Sequence, residues 1–175
     1  MSKHYFKIGK LVASFGLQGE LVLKHSLGQK TSLKGLKAIF LEEGKDTFLP
    51  YFIEGTRIKN DNELWLKLEG IATKEMAHTL TQKEVWLLED DFNIYADKSA
   101  PISLLGFTMI DAEKGSTLGE ILEVIEQPHQ VLCKIMINNN EALIPIHEET
   151  LDKVDKKGRK VYVTLPDGLL DIYDP

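Results

Sequence analysis

Residues equipped for chemistry are few and scattered. Histidines stand at 4, 25, 78, 129 and 147, and no two are spaced to act as ligands from one predicted element. A zinc centre needs several close nitrogen or sulfur donors, and the single cysteine, Cys133, has no local partner. It lies in Val131-Leu132-Cys133-Lys134-Ile135, a context that predicts an inert buried thiol rather than a nucleophile. No Gly-x-Ser-x-Gly elbow occurs. Gly16-Leu17-Gln18-Gly19 is neither a Walker loop nor a dinucleotide fingerprint. A strand pattern follows it, so no helix N-terminus is there to hold a phosphate. Leu27-Gly28-Gln29-Lys30-Thr31 lacks the Gly-Lys pair of a phosphate loop. Asp111-Ala112-Glu113-Lys114-Gly115 hints at a calcium loop, but its glycine falls one place early and the twelfth position is Leu122. It reads as a hairpin turn. The residues predict no metal, no cofactor and no enzyme.

Charge is distributed unevenly. The chain has 175 residues and a net charge of −6. Residues 1–90 carry 13 basic and 12 acidic side chains, a net of +1, whereas residues 91–175 carry 8 and 15, a net of −7. Residues 1–40 hold seven lysines against one acid, Glu20. Such segregation suits two different partners, one of them polyanionic, although lysines also protect strand edges from pairing. With 43% hydrophobic and 27% charged residues, the composition is that of a globular protein. One cysteine permits no internal disulfide, consistent with a reducing compartment. The opening residues lack the apolar core of a signal peptide, and no apolar run reaches the roughly 20 residues of a membrane span.

The elements that must position these charges are mostly strands. Tyr5–Ser14, Glu20–Lys24, Ala38–Leu41, Thr47–Ile58, Leu64–Leu68 and Glu84–Leu88 read as extended. Leu64, Leu66 and Leu68 face inward, with Trp65 and Lys67 outward. Leu21 and Leu23 likewise share a face opposite Glu20, Val22 and Lys24. One short helix interrupts the pattern: Thr73 is its N-cap, Glu75 suits its first turn, and Met76, Ala77 and Leu80 share a face. Asp90 to Pro101 is polar and marks a boundary. Strands resume at Leu104–Ile110, Leu118–Glu126, Val131–Ile137, Ala142–Ile146 and Lys160–Leu165. Close-spaced short strands separated by turn chemistry predict small closed barrels. The expectation is a mainly β chain of two small β-barrels with one short helix in the first. Residues 1–90 form the first barrel, 91–100 a linker and 101–175 the second barrel.

Particular strings then resemble one family. Ile8-Gly9-Lys10-Leu11-Val12-Ala13-Ser14-Phe15-Gly16-Leu17-Gln18-Gly19-Glu20-Leu21 resembles the opening motif of the bacterial RimM (16S rRNA processing protein) family. Leu66 to Ile71, the Thr73–Leu80 helix and Glu84-Val85-Trp86-Leu87 resemble the close of that family's N-terminal, translation-factor-like barrel. Leu104-Leu105-Gly106-Phe107, Leu118-Gly119-Glu120-Ile121, Leu143-Ile144-Pro145-Ile146 and Leu165-Pro166-Asp167-Gly168-Leu169-Leu170-Asp171 resemble a PRC-barrel domain. Together these pieces span nearly the whole chain in the family's order.

The resemblance implies a monomeric, cytoplasmic, non-catalytic factor for maturation of the small (30S) ribosomal subunit head, required for 16S rRNA processing. Its implied partners are ribosomal protein S nineteen, the immature small subunit and 16S rRNA, with no membrane. A small-molecule enzyme using a barrel mouth and a generic protein-interaction barrel are the other readings. Lys24, Lys30, Lys34 and Lys37 are the candidate rRNA contacts, and Phe92 and Tyr95 the candidate ribosomal-protein contacts. Gly9, Gly16, Gly19, Glu20, Gly106, Gly119, Pro145, Pro166 and Gly168 are motif positions with structural roles. The chain departs from the family twice. Phe15 stands where the family commonly has His, and Phe92 and Tyr95 flank Asn93-Ile94 where the family often has adjacent aromatics.

Overall fold

The computed structural model describes residues 3–172, which form two compact units dividing between Ala100 and Pro101. In the first unit, alternation of leucine with polar residues makes six strands: β1 (Tyr5–Phe15), β2 (Glu20–His25), β3 (Ala38–Gly44), β4 (Thr47–Ile58), β5 (Glu63–Leu68) and β6 (Glu84–Leu88). They close as an antiparallel barrel in the order β1-β2-β5-β4-β3-β6, which leaves no free strand edge. The barrel interior is filled by Leu21, Leu23, Ile39, Leu41, Leu64, Leu66, Leu68, Val85 and Leu87, all fully buried. Each such side chain contributes about 1.5–3 kcal/mol by leaving water.

Two glycines of the opening motif are required by close backbone approach. Gly9 pairs with His25 across β1 and β2, and a Cβ there would lie 2.0 Å from the Lys24 carbonyl oxygen. Gly19, at φ +85°, would place a Cβ 2.5 Å from the Ile71 carbonyl oxygen. The β1–β2 hairpin therefore sits directly on the segment leading into α1 (Lys74–Leu80). In that helix the Thr73 hydroxyl accepts the Met76 N–H at 3.1 Å, as the sequence predicts. Ala77 and Leu80 are buried, but Met76 is exposed, so the packed stripe is narrower than expected.

The segment 91–100 is not a free linker. Glu89–Tyr95 forms a second helix, α2, which the single-helix reading missed. Its three acids, Glu89, Asp90 and Asp91, occupy the first turn, where the helix dipole favours negative charge. Its one buried helical residue, Phe92, is 3% exposed. Polarity made this stretch look like a boundary, because a two-turn helix needs only one or two anchors.

The second unit contains β7 (Thr108–Asp111), β8 (Thr117–Glu120), β9 (Glu123–Gln127), β10 (Gln130–Ile137), β11 (Asn140–Ile146), β12 (Leu151–Asp155) and β13 (Lys160–Val163). They form a three-stranded sheet, β11-β10-β9, and a four-stranded sheet, β12-β13-β7-β8, in which β13 and β7 run parallel. The run 118–126 expected as one strand is two, broken at a corner. The Ile121 N–H donates to the Phe107 carbonyl at 2.8 Å and the Leu122 N–H to the Lys134 carbonyl at 2.8 Å. Ile121 and Leu122 thus hand the chain from one sheet to the other. Gly119, at φ +155° beside the Met136 carbonyl, permits the close approach at this corner.

Pro101–Leu104 is a short 3-10 turn, so extended structure begins only at Thr108. β12 escaped sequence reading because Leu151-Asp152-Lys153-Val154-Asp155 carries only two apolar residues. The turn after β7 is a hairpin, as expected: Asp111 Oδ1 accepts the Glu113 and Lys114 N–H groups at 2.9 and 3.2 Å.

Among the other motif positions, Gly106 adopts φ +83° and its N–H donates to the Ile121 carbonyl at 2.9 Å. Pro145 pairs with Leu132, and its carbonyl accepts the buried Thr150 hydroxyl at 2.9 Å. Pro166 and Gly168 frame the last turn, where the Pro166 carbonyl accepts the Leu169 N–H at 3.2 Å.

Candidate functional site

The four candidate lysines are all exposed, but they arise from two different elements. Lys24 lies on the outer face of β2, opposite Lys10 of β1 and Glu63 of β5. Lys30, Lys34 and Lys37 belong to the connection between β2 and β3. That connection buries Leu27, Leu33 and Leu36 against the barrel, and turning the leucines inward leaves the lysines in solvent. The Lys30 ammonium is 3.6 Å from the Asp61 carboxylate, an exposed pair of little energetic weight.

The candidate aromatic pair divides. Phe92 is not presented to solvent in this fold, because its ring packs edge-on against Phe6 with centroids 5.1 Å apart and is buried. Tyr95 is half-buried on the same helix. Its hydroxyl donates to the Lys34 carbonyl at 2.8 Å, while its own carbonyl accepts Gln29 Nε2 at 3.0 Å. Burial and the neighbouring Asp91 charge push its phenol pKa up, which keeps the hydroxyl a donor. The Asp97 N–H adds a bond to the Leu27 carbonyl at 2.8 Å. Helix α2 and the lysine-bearing connection therefore stabilise each other.

Sequence reading missed a cluster around the β1–β2 turn. Phe15 is 51% exposed and Leu17, at the tip, 81%. The Phe15 ring meets Trp65 of β5 with centroids 4.6 Å apart. The Arg57 guanidinium and the Lys59 ammonium lie over the Trp65 ring, 5.0 and 5.2 Å from its centroid. Arg57 Nη2 also donates to both carboxylate oxygens of Glu20, at 3.0 and 2.9 Å. The motif acid thus clamps β2 to β4 across β5. Outward position of Trp65 in a leucine-alternating strand was the one available signal.

Groups with catalytic potential are poorly placed. Burial pushes the Cys133 thiol up to about 12, so it carries no thiolate at neutral pH. Among the described residues no three His, Cys, Asp or Glu side chains gather to hold a metal, and no helix is long and apolar enough to cross a membrane.

His25 is buried. Its Nδ1 accepts the Leu27 N–H at 3.2 Å, and its Nε2 has no partner. Burial lowers its pKa from the ordinary 6.5. The folded state therefore binds this proton less readily than the unfolded chain. The stability involved is fully present above pH 6.5 and is lost as pH falls from there through the depressed folded value. Urea titrations at pH 7.5 and 5.5 are expected to show lower stability at pH 5.5 through this residue. His25→Leu should be less stable at pH 7.5, since the Leu27 N–H loses its acceptor, yet show a flatter pH response. An equally steep response in the variant would assign the effect to other groups.

Residues 6–92 match the family model described as the RimM N-terminal domain, and residues 101–169 match the RimM PRC barrel domain. A protein named ribosome maturation factor RimM from Christiangramia forsetii is 32% identical over 169 residues, covering 96% of this chain and 95% of its own length. This chain belongs to the RimM family. RimM proteins of Parabacteroides distasonis and Phocaeicola vulgatus are similar to the same degree. The first is 31% identical over 179 residues, covering 95% of this chain and 96% of its own, and the second 33% over 168 residues, covering 94% and 96%. The span matched by the RimM N-terminal model ends at Phe92, inside helix α2.

Proposed function

We propose that this RimM-family chain is a non-catalytic accessory factor for maturation of the small ribosomal subunit, acting in the cytoplasm as a monomer. The observation that carries the reading is its end-to-end likeness to proteins named ribosome maturation factors. In the finer reading, the first unit meets 16S rRNA and the acidic second unit meets ribosomal protein S nineteen in the subunit head. The charge division supports that assignment, since complementary fields speed and orient association. The exposure of all four candidate lysines supports it as well.

Sedimentation of a cell lysate tests the reading. The protein is expected to co-migrate with small-subunit precursors and to leave them at high salt. Migration at the top of the gradient at every salt concentration would refute it. Capture of ribosomal protein S nineteen by the tagged chain tests the protein contact separately.

The lysines carry their own expectation. Binding to phosphate releases counterions, so log K falls with log salt by roughly 0.7 to 0.9 per phosphate contact. Replacing Lys24, Lys30, Lys34 and Lys37 together with Gln should flatten that slope by about one unit for each lysine that touches phosphate. Folding stability should change by less than about 0.5 kcal/mol for each exposed site. The comparison is rRNA-fragment binding across a salt series, and parallel slopes would leave these lysines as solvated surface charge with no phosphate contact.

A further inference from the structure

The outer faces of β1, β2, β5 and β4 form one continuous surface whose composition follows from strand register. Phe15, Ala13 and Lys10 stand opposite Glu20, Val22 and Lys24. Val22 and Lys24 stand opposite Trp65 and Glu63, and Trp65 and Lys67 opposite Arg57 and Gly55. Val22 points outward in this register yet is 3% exposed, with Trp65 as its cross-strand neighbour. Phe15 itself is left uncovered, half of it remaining in solvent, whereas Trp65 is partly covered by Phe15, Arg57 and Lys59. A Cβ added at Gly16, next to Phe15, or at Gly55, opposite Lys67, would meet nothing within 4 Å, so the surface is open at both positions.

Charge on this face indicates what would cover it. Arg57 and Lys59 lie over the Trp65 ring, and Lys10, Lys24 and Lys67 share the face by strand register. The acids among them are already engaged, Glu20 with Arg57, Glu54 with Lys67 and Glu63 with Lys59. Lys10 and Lys24 are direct cross-strand partners, a like-charge pairing that destabilises a sheet and is offset in part by Glu63 opposite Lys24. Exposed ion pairs are weak, so a phosphate can take the place of a carboxylate beside Arg57 or Lys59.

Exposed aromatic rings within a cationic groove are how proteins hold single-stranded nucleic acid, each base offering a π-face and each phosphate a charge. A base inside a duplex has both faces already stacked, so protein aromatics reach bases in unpaired segments. We propose that this face is a stacking platform for an unpaired RNA segment. A base lies on the open side of Phe15, and flanking phosphates are held by Arg57, Lys59 and Lys67. The proposal deepens the rRNA reading above and rests on it.

The test uses the full-length chain, a short labelled oligouridylate and a labelled RNA hairpin stem, followed by fluorescence anisotropy. The wild type is expected to bind the oligouridylate more tightly than the stem. Phe15→Ala should weaken oligouridylate binding roughly tenfold with little change in melting temperature. Gly55→Glu should weaken it comparably, by placing a carboxylate opposite Lys67, where it competes with phosphate. Unchanged affinity in both variants, preference for the stem, or no binding of the oligouridylate by the wild type would overturn the proposal. Loss of binding to subunit particles with undiminished oligouridylate binding would assign the face to a protein partner and overturn it equally. Co-migration of the wild type with subunit precursors is read separately, so the broader function can stand when the platform fails.

Discussion

Gly9→Ala is expected to destabilise the first unit by about 3 kcal/mol or more, the range reached when a substitution forces strain on a tightly packed backbone. The added Cβ would lie 2.0 Å from the Lys24 carbonyl oxygen and 2.8 Å from the His25 Cα. Both neighbours are backbone, so no side chain can rotate away. Relief requires β1 and β2 to separate, and their ladder is one seam of the closed barrel. Calorimetry of the full chain should show the transition of the first unit collapse towards lower temperature. Gly16→Ala is the control. Its φ is +70° but nothing lies near its Cβ, so it should cost only the left-handed backbone penalty of about 1–2 kcal/mol. A Gly9→Ala protein melting within about 1 kcal/mol of the parent would show that the seam is more compliant than its geometry indicates.

Phe92→Ala should cost about 3–5 kcal/mol, as expected for emptying a buried phenylalanine site. Part of that loss is the edge-on contact with Phe6, a geometry worth about 0.5–1.5 kcal/mol beyond area burial. Tyr95→Phe removes only the bond to the Lys34 carbonyl and should cost about 1 kcal/mol. Urea denaturation reads both effects. Affinity for ribosomal protein S nineteen, measured well below the melting temperature, should be little altered by either change. A Phe92→Ala protein with an unmoved urea midpoint and a large loss of affinity would restore Phe92 as a partner contact. Because Phe92 and Ala96 are buried in the first unit, a fragment meant to isolate the second should start at Pro101 rather than at residue 91.

Fold class was legible because strand periodicity is local. Leu64, Leu66 and Leu68 specify an inward face without reference to any other segment, and Thr73 specifies a helix start by a bond three residues long. The Gly16–Gly19 turn could be read for the same reason, since turn chemistry is written in adjacent residues, whereas the close approaches at Gly9 and Gly19 come from the Lys24 and Ile71 carbonyls elsewhere in the chain. Helix α2 was not legible. Its apolar content is slight, and the Tyr95 hydroxyl and Asp97 N–H find their partners in residues of the distant β2–β3 connection.

The sequence by itself determined that the chain is mainly β, that positive charge gathers in its first 40 residues, and that no local motif offers catalytic chemistry. It also carried the family, through motifs spread over both halves. Only the tertiary structure decided which of the named residues face solvent. Phe92 was removed from the surface by its contact with Phe6, and Phe15, Trp65, Arg57 and Lys59 were gathered into one cluster. The physical reason is that cross-strand neighbours on a barrel are set by register. Register depends on bulges, such as the one between Leu11 and Ala13, and on closure of the whole ring. No window of sequence contains either.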